Sequence, residues 1–507
     1  MTERGFVSLV GAGPGDPGLL TRKGEQRLRE ADIVLYDALV APAILSLARQ
    51  GAALIHRKDV QDGRQAALNA FLVDRARAGN RVVRLKGGDP FLFGRGAEEA
   101  EALVRAGIPF EVVPGVSAGI AVPAYAGIPV THRAIASDVT FVTGHEDPDK
   151  DESPIEWERI VRIGGTLVVF MGVRRLPDVV DALVKAGASP LTPAAVIEWG
   201  TTPRQRTIEG TLSDIVVTAR TEGIDHPALV VIGRVVALRK DLAWFDKRPL
   251  WGQRVLVTRA REQAAPLVEG LRDAGAGVMQ LPVLAFEPPS DSAPVDILIQ
   301  ALREGVRYDA VIFTSANGVR FFFEALRANR LDLRAIGNAR VASIGPATAE
   351  AVHALGVVSD VVPEEYRAEE LFRALGGPAA SKGKRFLLVR AEVARNVLPD
   401  AIREAGGQVD VVPVYRTITP EIERDVARRH VELATIVTFT SPSSVTNLCR
   451  IVGDDAPALL RKRHLAVIGP ITAKALADRG LQATVVAEEY TAAGLVEAMR
   501  RRAPYEG

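Results

Sequence analysis

Two loops rich in glycine and proline carry the clearest chemical signal in this chain. The first reads Gly13-Pro14-Gly15-Asp16-Pro17 and the second reads Gly87-Gly88-Asp89-Pro90. Glycine allows positive φ and lets a ligand approach the main chain, whereas proline stiffens a turn without donating a hydrogen bond. Each loop follows a short apolar run, and ligands of open α/β sheets bind beyond the carboxyl ends of strands. The loops therefore predict a small-molecule site in the first half.

The elements that hold these loops are strands and helices in alternation. Short apolar runs such as Val7–Val10 alternate with helical patterns along the chain, which is typical of the α/β class. A chain of 507 residues is too long for one core, and the alternation breaks near residues 240–253. We predict a first domain at 1–243, a linker at 244–252 and a second domain at 253–507.

The second half contains an internal repeat of four short segments in the same order. The matching pairs are Val255–Ala260 with Leu387–Ala391, Phe313–Val319 with Phe439–Val445, Ile344–Ala349 with Ile468–Ala473, and Glu364–Tyr366 with Glu488–Tyr490. Two copies are too few for a solenoid. The repeat predicts two similar lobes facing one cleft, and the alternative is a simple duplication of the fold without a shared site.

Composition excludes several classes of function. The net charge of +1 gives no general case for binding nucleic acid or an acidic membrane surface. The single cysteine, Cys449, excludes an internal disulfide and fits a reducing compartment. The histidines form no metal-binding motif, the amino terminus has no signal-like leader, and no apolar run reaches the length of a membrane span. We therefore expect a cytoplasmic protein without a bound metal that binds neither nucleic acid nor membrane.

A dinucleotide site is one alternative for the first half. The pattern Gly13-x-Gly15-x-x-Gly18 formally matches the dinucleotide fingerprint, and Asp37 closes the next strand at a suitable distance. However, Pro14 and Pro17 remove amides that a pyrophosphate needs at the start of a helix. Because a lone GxGxxG is weak evidence, an oxidoreductase that uses a dinucleotide is the less favoured interpretation of this half.

Eight motifs succeed one another through the first half. They are Val10–Pro17, Leu35–Asp37, Val83–Gly96, Val113–Ala118, Ala126–Arg133, Thr143–His145, Met171–Gly172 and Gly200–Thr201. Together they closely resemble uroporphyrinogen-III C-methyltransferase, a tetrapyrrole methylase, over about residues 5–240. The resemblance implies two lobes that hold S-adenosyl-L-methionine between them. It also implies successive methylation of two pyrrole carbons of uroporphyrinogen III, giving precorrin-1 and then precorrin-2, toward sirohaem or cobalamin.

The resemblance also implies roles for individual residues. Asp37 matches the family's proposed proton acceptor, and its alternative is a solvated residue that ends a strand. Where relatives carry a Gly-Lys-Arg run with a proposed proton-donor lysine, this chain reads Ile55-His-Arg-Lys58. The proton-donor role is therefore open between His56 and Lys58, with a surface charge as the alternative. The residues implied to line the methyl-donor site are Pro14, Gly87, Gly88, Asp89, Leu92, Ser117, Ala118, Met171, Gly200, Ala228 and Leu229.

Arginines are expected around the cleft, because the implied substrate carries carboxylates that match the bidentate geometry of a guanidinium. Arg84, Arg95 and Arg133 lie on the motif loops and are the candidates. Each could equally form a structural ion pair.

In the second half, several strand ends are followed by hydroxyl residues that open a helix. Phe313-Thr-Ser315 and Phe439-Thr-Ser441 are examples. Hydroxyls cap helices, and the free amides of a first turn can bind an anion. Several such ends facing one cleft suit a polycarboxylate, whereas ordinary helix caps are the alternative.

With Val412–Thr417 and the repeated Ile-Gly-Pro-x-Thr-Ala element, residues 253–500 resemble uroporphyrinogen-III synthase. The resemblance implies closure of hydroxymethylbilane with loss of water and inversion of ring D, without a cofactor. Tyr415 matches the tyrosine proposed to assist departure of hydroxide, and its alternative is a strand-end tyrosine packed at a domain edge. Polar cleft positions are matched by Thr314, Ser315, Ser441 and Thr491. A carboxylate-binding module without catalysis is the alternative for this half.

The second resemblance further implies discontinuous lobes. Residues 253–287 should join 417–505 in one lobe, and 288–413 should form the other, with two crossing connections that allow hinge motion. Methyltransferases of the first family are dimers, which implies a homodimer through the first half. The expected partners are small tetrapyrrole substrates.

Overall fold

The computed structural model describes residues 5–144 and 155–505 of the chain. His145, the last residue of one predicted motif, lies outside these described residues. The chain forms two compact units. The first contains the residues up to Arg254 with Leu271–Gly277 and a stretch that begins at Arg500, and the second contains Val255–Gly270 and Val278–Met499. The sequence assigns both short stretches to the second domain, whereas they pack with the first unit.

The first unit begins with a parallel five-stranded sheet, which we call the first lobe together with its helices. Its strands are β1 Phe6–Gly11, β2 Ile33–Tyr36, β3 Ala53–His56, β4 Arg81–Lys86 and β5 Phe110–Val113. They lie in the order β3-β2-β4-β1-β5. Successive residues face opposite cores, so that Val82 packs in one apolar cluster and Val83 in the other. Because the strands are parallel, the loops that follow all of them meet at one edge.

A second, mixed sheet forms the second lobe of this unit. Its strands are β6 Val139–Thr143, β7 Thr166–Phe170, β8 Pro193–Glu198, β9 Arg206–Thr211 and β10 Ala228–Ile232. They lie in the order β6-β7-β10-β8-β9, with β6 and β7 parallel and the other pairs antiparallel. The antiparallel pairing brings the carboxyl ends of β7 and β8 to the amino end of β10.

Helices cover the sheets of the first half. They are α1 Arg22–Glu30, α2 Pro42–Leu45, α3 Gln65–Arg77, α4 Gly96–Arg105, α5 Ala118–Tyr125, α6 Trp157–Ile163, α7 Leu176–Lys185, α8 Ile215–Thr221 and α9 Arg239–Leu242.

The segment predicted as a linker, 244–252, is not a free connection. Phe245 is 3% exposed and Leu250 is fully buried. The Arg248 guanidinium lies over the rings of Trp244 and Phe245, at 4.7 and 4.5 Å from their centroids. Since aromatic side chains gain stability by burial and by contact with a cation, this segment is an integral part of the first unit.

The second unit contains two further five-stranded sheets. In chain order the strands are β11 Arg254–Val257, β12 Gly277–Gln280, β13 Ala285–Glu287, β14 Ala310–Phe313, β15 Arg340–Ser343, β16 Arg385–Ala391, β17 Gln408–Ile418, β18 Ile436–Phe439, β19 His464–Val467 and β20 Val485–Val486. One sheet has the order β12-β11-β18-β19-β20 and the other β13-β17-β16-β14-β15. We call the lobe built on the first of these sheets the outer lobe and the lobe built on the second the inner lobe. The strands of the inner lobe follow one another in the chain, and those of the outer lobe lie before and after them.

The helices of the second half complete these lobes. They are α10 Ala265–Asp273, α11 Ala293–Arg303, α12 Ala316–Ala328, α13 Pro346–His353, α14 Ala368–Ala374, α15 Gly377–Ser381, α16 Val397–Glu404, α17 Arg424–Leu433, α18 Pro442–Val452, α19 Ala456–Leu460, α20 Pro470–Ala477 and α21 Ala492–Arg502.

The sequence repeat corresponds to equivalent strand positions in the two sheets. In the outer lobe β11 lies beside β18 and β18 beside β19, and in the inner lobe β16 lies beside β14 and β14 beside β15. These four pairs of strands are parallel. The two lobes therefore share one arrangement, although the chain passes through it in a different order.

The predicted lobe boundary at residue 287 is wrong by a short strand. Residues 285–287 form β13, which pairs antiparallel with β17 of the inner lobe at Phe286 and Thr417. β17 itself continues to Ile418, beyond the predicted limit of 413. By contrast, Leu256 of β11 pairs with Val437 of β18, within the outer lobe.

Membrane spans and metal clusters are both lacking in the part of the chain that the structure describes. None of the helices there combines the length and the apolar character that crossing a membrane requires. No group of three or more histidine, cysteine or acidic side chains in those residues could hold a metal ion.

Candidate functional site

The two glycine-rich loops of the first lobe are joined directly to each other. The Gly13 amide donates to the Gly88 carbonyl at 3.2 Å, and the Gly88 amide donates back to the Gly13 carbonyl at 2.8 Å. Both residues adopt positive φ, +74° and +66°, a conformation that favours glycine. A Cβ on the nearby Gly115 would lie 2.2 Å from the Gly88 carbonyl oxygen. The loops after β1, β4 and β5 therefore form one tightly packed structure at the carboxyl edge of the sheet.

Asp89 organises this structure through its carboxylate. One oxygen accepts from the Phe91 amide at 2.8 Å and the other from the Gly115 amide at 3.0 Å. Asp89 thus ties the loop after β4 to the loop after β5. The carboxylate predicted to hold a ligand also fixes the loops around it.

The residues predicted to line the methyl-donor site fall on two edges. Those of the first lobe follow β1, β4 and β5, and are Pro14, Gly87, Gly88, Asp89, Leu92, Ser117 and Ala118. Those of the second lobe are Met171, Gly200, Ala228 and Leu229, which lie together because Leu229 pairs with Phe170 and Ala228 with Glu198. Ser117 has a further role, since it caps α5 by accepting from the Gly119 amide.

Three contacts bring these two edges together within the first unit. The Asp16 amide donates to Thr201 Oγ1 at 3.2 Å, and the Tyr125 hydroxyl donates to Asp16 Oδ2 at 2.8 Å. The Phe93 ring packs on Phe170 with centroids 5.0 Å apart. The predicted methyl-donor residues of both lobes therefore border the same region.

Strained backbone is concentrated around this region. Phe93, Arg95, Met171, Trp199 and Thr201 all have positive φ although none is glycine. Each such conformation costs about 1–3 kcal/mol and persists where the surroundings fix it, commonly at a functional site. The strain is an independent indication of a ligand site here.

Asp37 lies at the same edge, surrounded by cations. Its Oδ1 accepts from Arg84 Nη2 at 2.6 Å, and Arg57 Nη1 lies 3.6 Å from that oxygen. Lys86 Nζ is 3.9 Å from the other oxygen, Oδ2. The Asp37 side chain is 19% exposed and paired with cations, so it is not freely solvated.

A second carboxylate, Glu99, lies beneath Asp37. Glu99 is fully buried, and its Oε1 accepts from Arg84 Nε and from Lys86 Nζ, each at 3.0 Å. Burial alone would lower the pKa of Arg84, but Glu99 and Asp37 outweigh that effect and raise it. For Lys86, burial and the neighbouring Arg84 prevail over both carboxylates, so the pKa is lowered. Arg84, predicted as a cleft-rim arginine, instead takes the other option, a structural ion pair.

Sequence reasoning missed Lys86, Glu99 and Arg57. A usable signal existed for the first of them, because Arg84 and Lys86 are charged residues two positions apart in an apolar strand and must point to the same face. Such charges need a buried partner, but the sequence does not identify Glu99 on α4 as that partner.

The two predicted proton-donor candidates follow the strand beside Asp37 but make other contacts. His56 Nδ1 accepts from the Lys58 amide at 3.2 Å, and the His56 ring packs edge-on against Tyr36. Lys58 is exposed. Of this segment, the contact with Asp37 comes from Arg57.

The remaining predicted arginines lie at the surface. Arg95 is 58% exposed and pairs with Glu98 at 2.7 Å. Arg133 is exposed on a turn closed by a bridge between His132 and Ala136. Beside the loops, Phe91, Phe93 and Met171 are 55%, 39% and 51% exposed, an apolar surface that sequence reasoning did not identify.

In the second unit, Tyr415 lies within β17 rather than at a strand end. It is 7% exposed, and its ring stacks on Phe321 with centroids 5.6 Å apart. Its hydroxyl is 3.0 Å from Ser315 Oγ, which also accepts from the Gly318 amide at the start of α12. Thr314 Oγ1 donates to the Val389 carbonyl at 3.3 Å. Tyr415, Ser315 and Thr314 thus form one polar group at the edge of the inner sheet.

The other two predicted hydroxyls belong to the outer lobe and act as caps. Ser441 forms a reciprocal capping box with Ser444 at the start of α18. Thr491 Oγ1 accepts from the Gly494 amide at 2.9 Å. A hydrogen bond from Gln263 Nε2 to Asn317 Oδ1, at 3.1 Å, links the loop after β11 to the first turn of α12.

Comparisons with known proteins match both halves. The family of Tetrapyrrole (Corrin/Porphyrin) Methylases matches residues 7–216, and the family of Uroporphyrinogen-III synthase HemD matches residues 265–497. The porphyrin biosynthesis protein HemD of Ruminiclostridium josui is 35% identical over 504 residues, covering 98% of this chain and 97% of that protein. The uroporphyrinogen-III C-methyltransferase of Bacillus subtilis is 43% identical over 335 residues, covering 66% of this chain and 68% of that protein.

Among solved structures, the uroporphyrin-III-C-methyltransferase of Thermus thermophilus is 40% identical, covering 48% of this chain and 97% of that one with a TM-score of 0.40. The family matches give no support to a dinucleotide oxidoreductase or to a non-catalytic second half. The protein is a bifunctional enzyme of tetrapyrrole biosynthesis with an α/β fold. The chain belongs to the family of porphyrin biosynthesis proteins that join a uroporphyrinogen-III C-methyltransferase to a uroporphyrinogen-III synthase.

Proposed function

We propose that the first unit methylates two pyrrole carbons of uroporphyrinogen III, giving precorrin-1 and then precorrin-2, and that the second unit makes uroporphyrinogen III from hydroxymethylbilane. The observation that carries the first part is the position of Asp37. Its amide donates to the Leu85 carbonyl at 3.2 Å, which sets its carboxylate beside the loop that begins at Gly87.

The methyl donor is S-adenosyl-L-methionine, which supplies an electrophilic methyl group on a cationic sulfur. The glycines fit such a ligand, because a Cβ on Gly87 or Gly88 would meet its nearest heavy atom only at 3.6 or 3.7 Å. A side chain there would fill space that an approaching ligand needs, whereas glycine leaves the main chain open. The residues that would hold the donor are the predicted set on the facing edges of the two lobes.

Asp37 would accept the proton that the pyrrole carbon loses. General-base catalysis needs a carboxylate oxygen held in one orientation within reach of the substrate. Arg84 fixes Oδ1, while the partial exposure of the side chain leaves it accessible from the cleft.

For the proton-donor role, His56 and Lys58 stay the predicted candidates, and Lys86 is a third cation near Asp37. Lys86 is buried, has a lowered pKa and lies 3.9 Å from Asp37 Oδ2. Its charge acts on Asp37, although this separation is too long for the hydrogen bond that a direct proton transfer needs. Arg57, with a side chain 36% exposed, is placed to meet a substrate carboxylate.

In the second unit, Tyr415 would assist the departure of hydroxide from hydroxymethylbilane. Its hydroxyl lies against Ser315 Oγ, which gives the phenol a fixed orientation at the edge of the inner sheet. Thr314, Ser315, Ser441 and Thr491 would contact the substrate from the two lobes, and the enzyme's main task is to hold a flexible polyanion in one conformation.

We also propose that the protein works in the cytoplasm as a homodimer formed through the first unit, as the family resemblance implies. Light scattering of the full chain tests the dimer, and a monomeric mass at micromolar concentration would contradict it.

Mass spectrometry of products from the full chain with hydroxymethylbilane and S-adenosyl-L-methionine tests both activities together. We expect a dimethylated product with the mass of precorrin-2. Unmethylated uroporphyrinogen III would contradict the methyltransferase proposal, and uroporphyrinogen I alone, which forms spontaneously, would contradict the synthase proposal.

A further inference from the structure

Two arginines occupy the same place in the two lobes of the second unit. The segments Arg254–Ala260 and Arg385–Ala391 match without a gap, and this alignment places Arg259 opposite Arg390. The strands concerned, β11 and β16, hold equivalent positions in their sheets. Both arginines lie at the carboxyl end of their strand.

Each arginine also lies beside a Thr-Ser pair on the neighbouring strand. In the outer lobe the last pair of the parallel register is Val257 with Thr438, and Arg259 and Thr440 each follow two residues later in their own segment. In the inner lobe Phe313 pairs with Val389, so that Thr314 and Arg390 come next. A guanidinium and hydroxyl groups at one edge are a donor set suited to a carboxylate.

Neither arginine forms an ion pair with a carboxylate in the part of the chain that the structure describes. Among the described residues, Arg259 has no partner in an ion pair or a side-chain hydrogen bond, and burial lowers its pKa. Within residues 5–144 and 155–505, Arg390 donates only to neutral acceptors, the Arg395 carbonyl and Asn396 Oδ1, and its Nε is buried without a partner. Its pKa is lowered by burial and by Arg403, which Asp400 offsets only in part.

An arginine at the opposite end of the same strand does have a counter-ion, so the lack of one is confined to the edge that carries Arg390. Arg385 begins the strand that Arg390 nearly ends, and it pairs with Asp410 at 2.8 Å. Arg259 and Arg390 are partly buried, and removing part of a cation from water without supplying an anion is unfavourable. The edge that carries them therefore lacks a counter-charge that the opposite edge has.

The two edges are also in contact. The loop after Arg259 leads to Gln263, which donates to Asn317 in the first turn of α12, the helix capped by Ser315. The uncompensated charges of the two lobes thus belong to one region of the second unit.

We propose that Arg259 and Arg390 are paired carboxylate receptors, each of which binds one acidic side chain of the linear tetrapyrrole and fixes it to its own lobe. This inference rests on the proposed synthase function. It explains how two lobes could hold opposite parts of one polyanionic substrate, because each guanidinium gains its counter-ion only when the substrate is bound.

The test is steady-state ring closure of hydroxymethylbilane by the full chain carrying Arg259→Gln or Arg390→Gln. A charge-assisted hydrogen bond typically stabilises a complex enough that its loss raises KM about tenfold to a hundredfold, and we expect that rise with kcat changed by less than about threefold. Arg259→Lys and Arg390→Lys keep the charge and should recover part of the loss, which separates binding from misfolding. The matched control is Arg334→Gln, which removes an exposed arginine already paired with Asp332.

An unchanged KM in both glutamine variants would overturn the inference, as would an equal rise in the Arg334→Gln control or a fall in kcat alone. The wild-type chain distinguishes this failure from failure of the proposed function. If the wild type makes uroporphyrinogen III and the variants have an unchanged KM for hydroxymethylbilane, only the assignment of Arg259 and Arg390 as carboxylate receptors is contradicted. If the wild type yields uroporphyrinogen I alone, both the proposed synthase function and this inference are contradicted.

Discussion

Arg84 and Asp37 are joined by a hydrogen bond of 2.6 Å between a wholly buried guanidinium and a partly exposed carboxylate. The same guanidinium reaches Glu99 on its other side at 3.0 Å. Asp37 is therefore the accessible end of a buried chain of charges that also includes Lys86. Because Arg84 holds Asp37 from the buried side, it orients the proposed base without contribution from the substrate.

Replacing Glu99 with glutamine should destabilise this buried network, because it removes the carboxylate that pairs with Arg84 and Lys86. The change leaves Arg84 and Lys86 buried with one carboxylate fewer, and removing one partner from a buried ion pair costs about 3–5 kcal/mol. We expect a fall of that size in the unfolding free energy of the first unit and a slower methylation. The four tryptophans all lie in residues 157–251, so denaturant unfolding followed by tryptophan fluorescence reports this unit.

The control for that experiment is Glu98→Gln on the same helix. Glu98 is 49% exposed and pairs with Arg95, so its loss should cost less than about 1 kcal/mol. Equal destabilisation by both variants would show that the buried network contributes no more to the unfolding free energy than an exposed ion pair does.

Replacing Asp37 with alanine should stop the first activity and spare the second. Loss of a general base slows a reaction by about 10²–10⁴-fold. Methylation of supplied uroporphyrinogen III is measured with labelled methyl donor, and ring closure is measured separately with hydroxymethylbilane. The exposed neighbour Asp59 gives the control Asp59→Ala, and a parallel loss of both activities in Asp37→Ala would contradict separate sites.

Replacing Tyr415 with phenylalanine should slow ring closure by about tenfold or more while methylation continues unchanged, since the phenol is proposed to assist only the departing hydroxide. A matched control exists in the same lobe. Tyr308 is 6% exposed and donates its hydroxyl to Asp410 at 2.8 Å. Tyr308→Phe should affect stability but leave ring closure intact, and full activity of Tyr415→Phe would remove the proposed role.

Acid should weaken the first unit through Glu111 on β5. Burial alone would raise the pKa of Glu111, but hydrogen bonds from Arg27, Lys23 and Ser8 prevail and lower it to about 2. Because the pKa is lower in the folded state, the stabilisation is complete above about pH 4.5 and is lost as the pH falls toward 2. Solvent screening limits its size to about 1 kcal/mol.

The measurement is the urea midpoint of tryptophan fluorescence between pH 7 and pH 2. Glu111→Gln should lower the midpoint above pH 4.5 and converge on the wild type near pH 2. The exposed pair of Glu101 with Arg105 supplies the control Glu101→Gln, which should match the wild type throughout. A constant difference between Glu111→Gln and the wild type at every pH would exclude this linkage.

The meeting of the glycine-rich loops could be predicted from sequence because strand-end turns of a parallel sheet share an edge. Glycine at positions 13 and 88 is required by positive φ, and that requirement is local. The placement of Asp37 at this edge obeys the same rule.

Features that depend on distant partners could not be predicted. The sequence leaves Arg84 open between a cleft arginine and a structural ion pair, because it does not say which carboxylate neutralises an arginine, and Glu99 lies on the following helix. The short strand β13 joins the inner sheet through β17, a pairing set by tertiary packing rather than by its three residues. Phe245 and Leu250 lie in a segment that interrupts the alternation of strands and helices, which predicts a linker, although both residues are buried in space.

The nesting of the inner lobe inside the outer one sets an order of assembly during translation. All five strands of the inner sheet lie between residues 285 and 418, so this lobe can fold once that stretch has left the ribosome. β11 emerges earlier, yet its neighbour β18 begins only at Ile436. The amino-terminal strand of the outer lobe must therefore wait, unpaired on that side, until synthesis has passed β18, about 180 residues later.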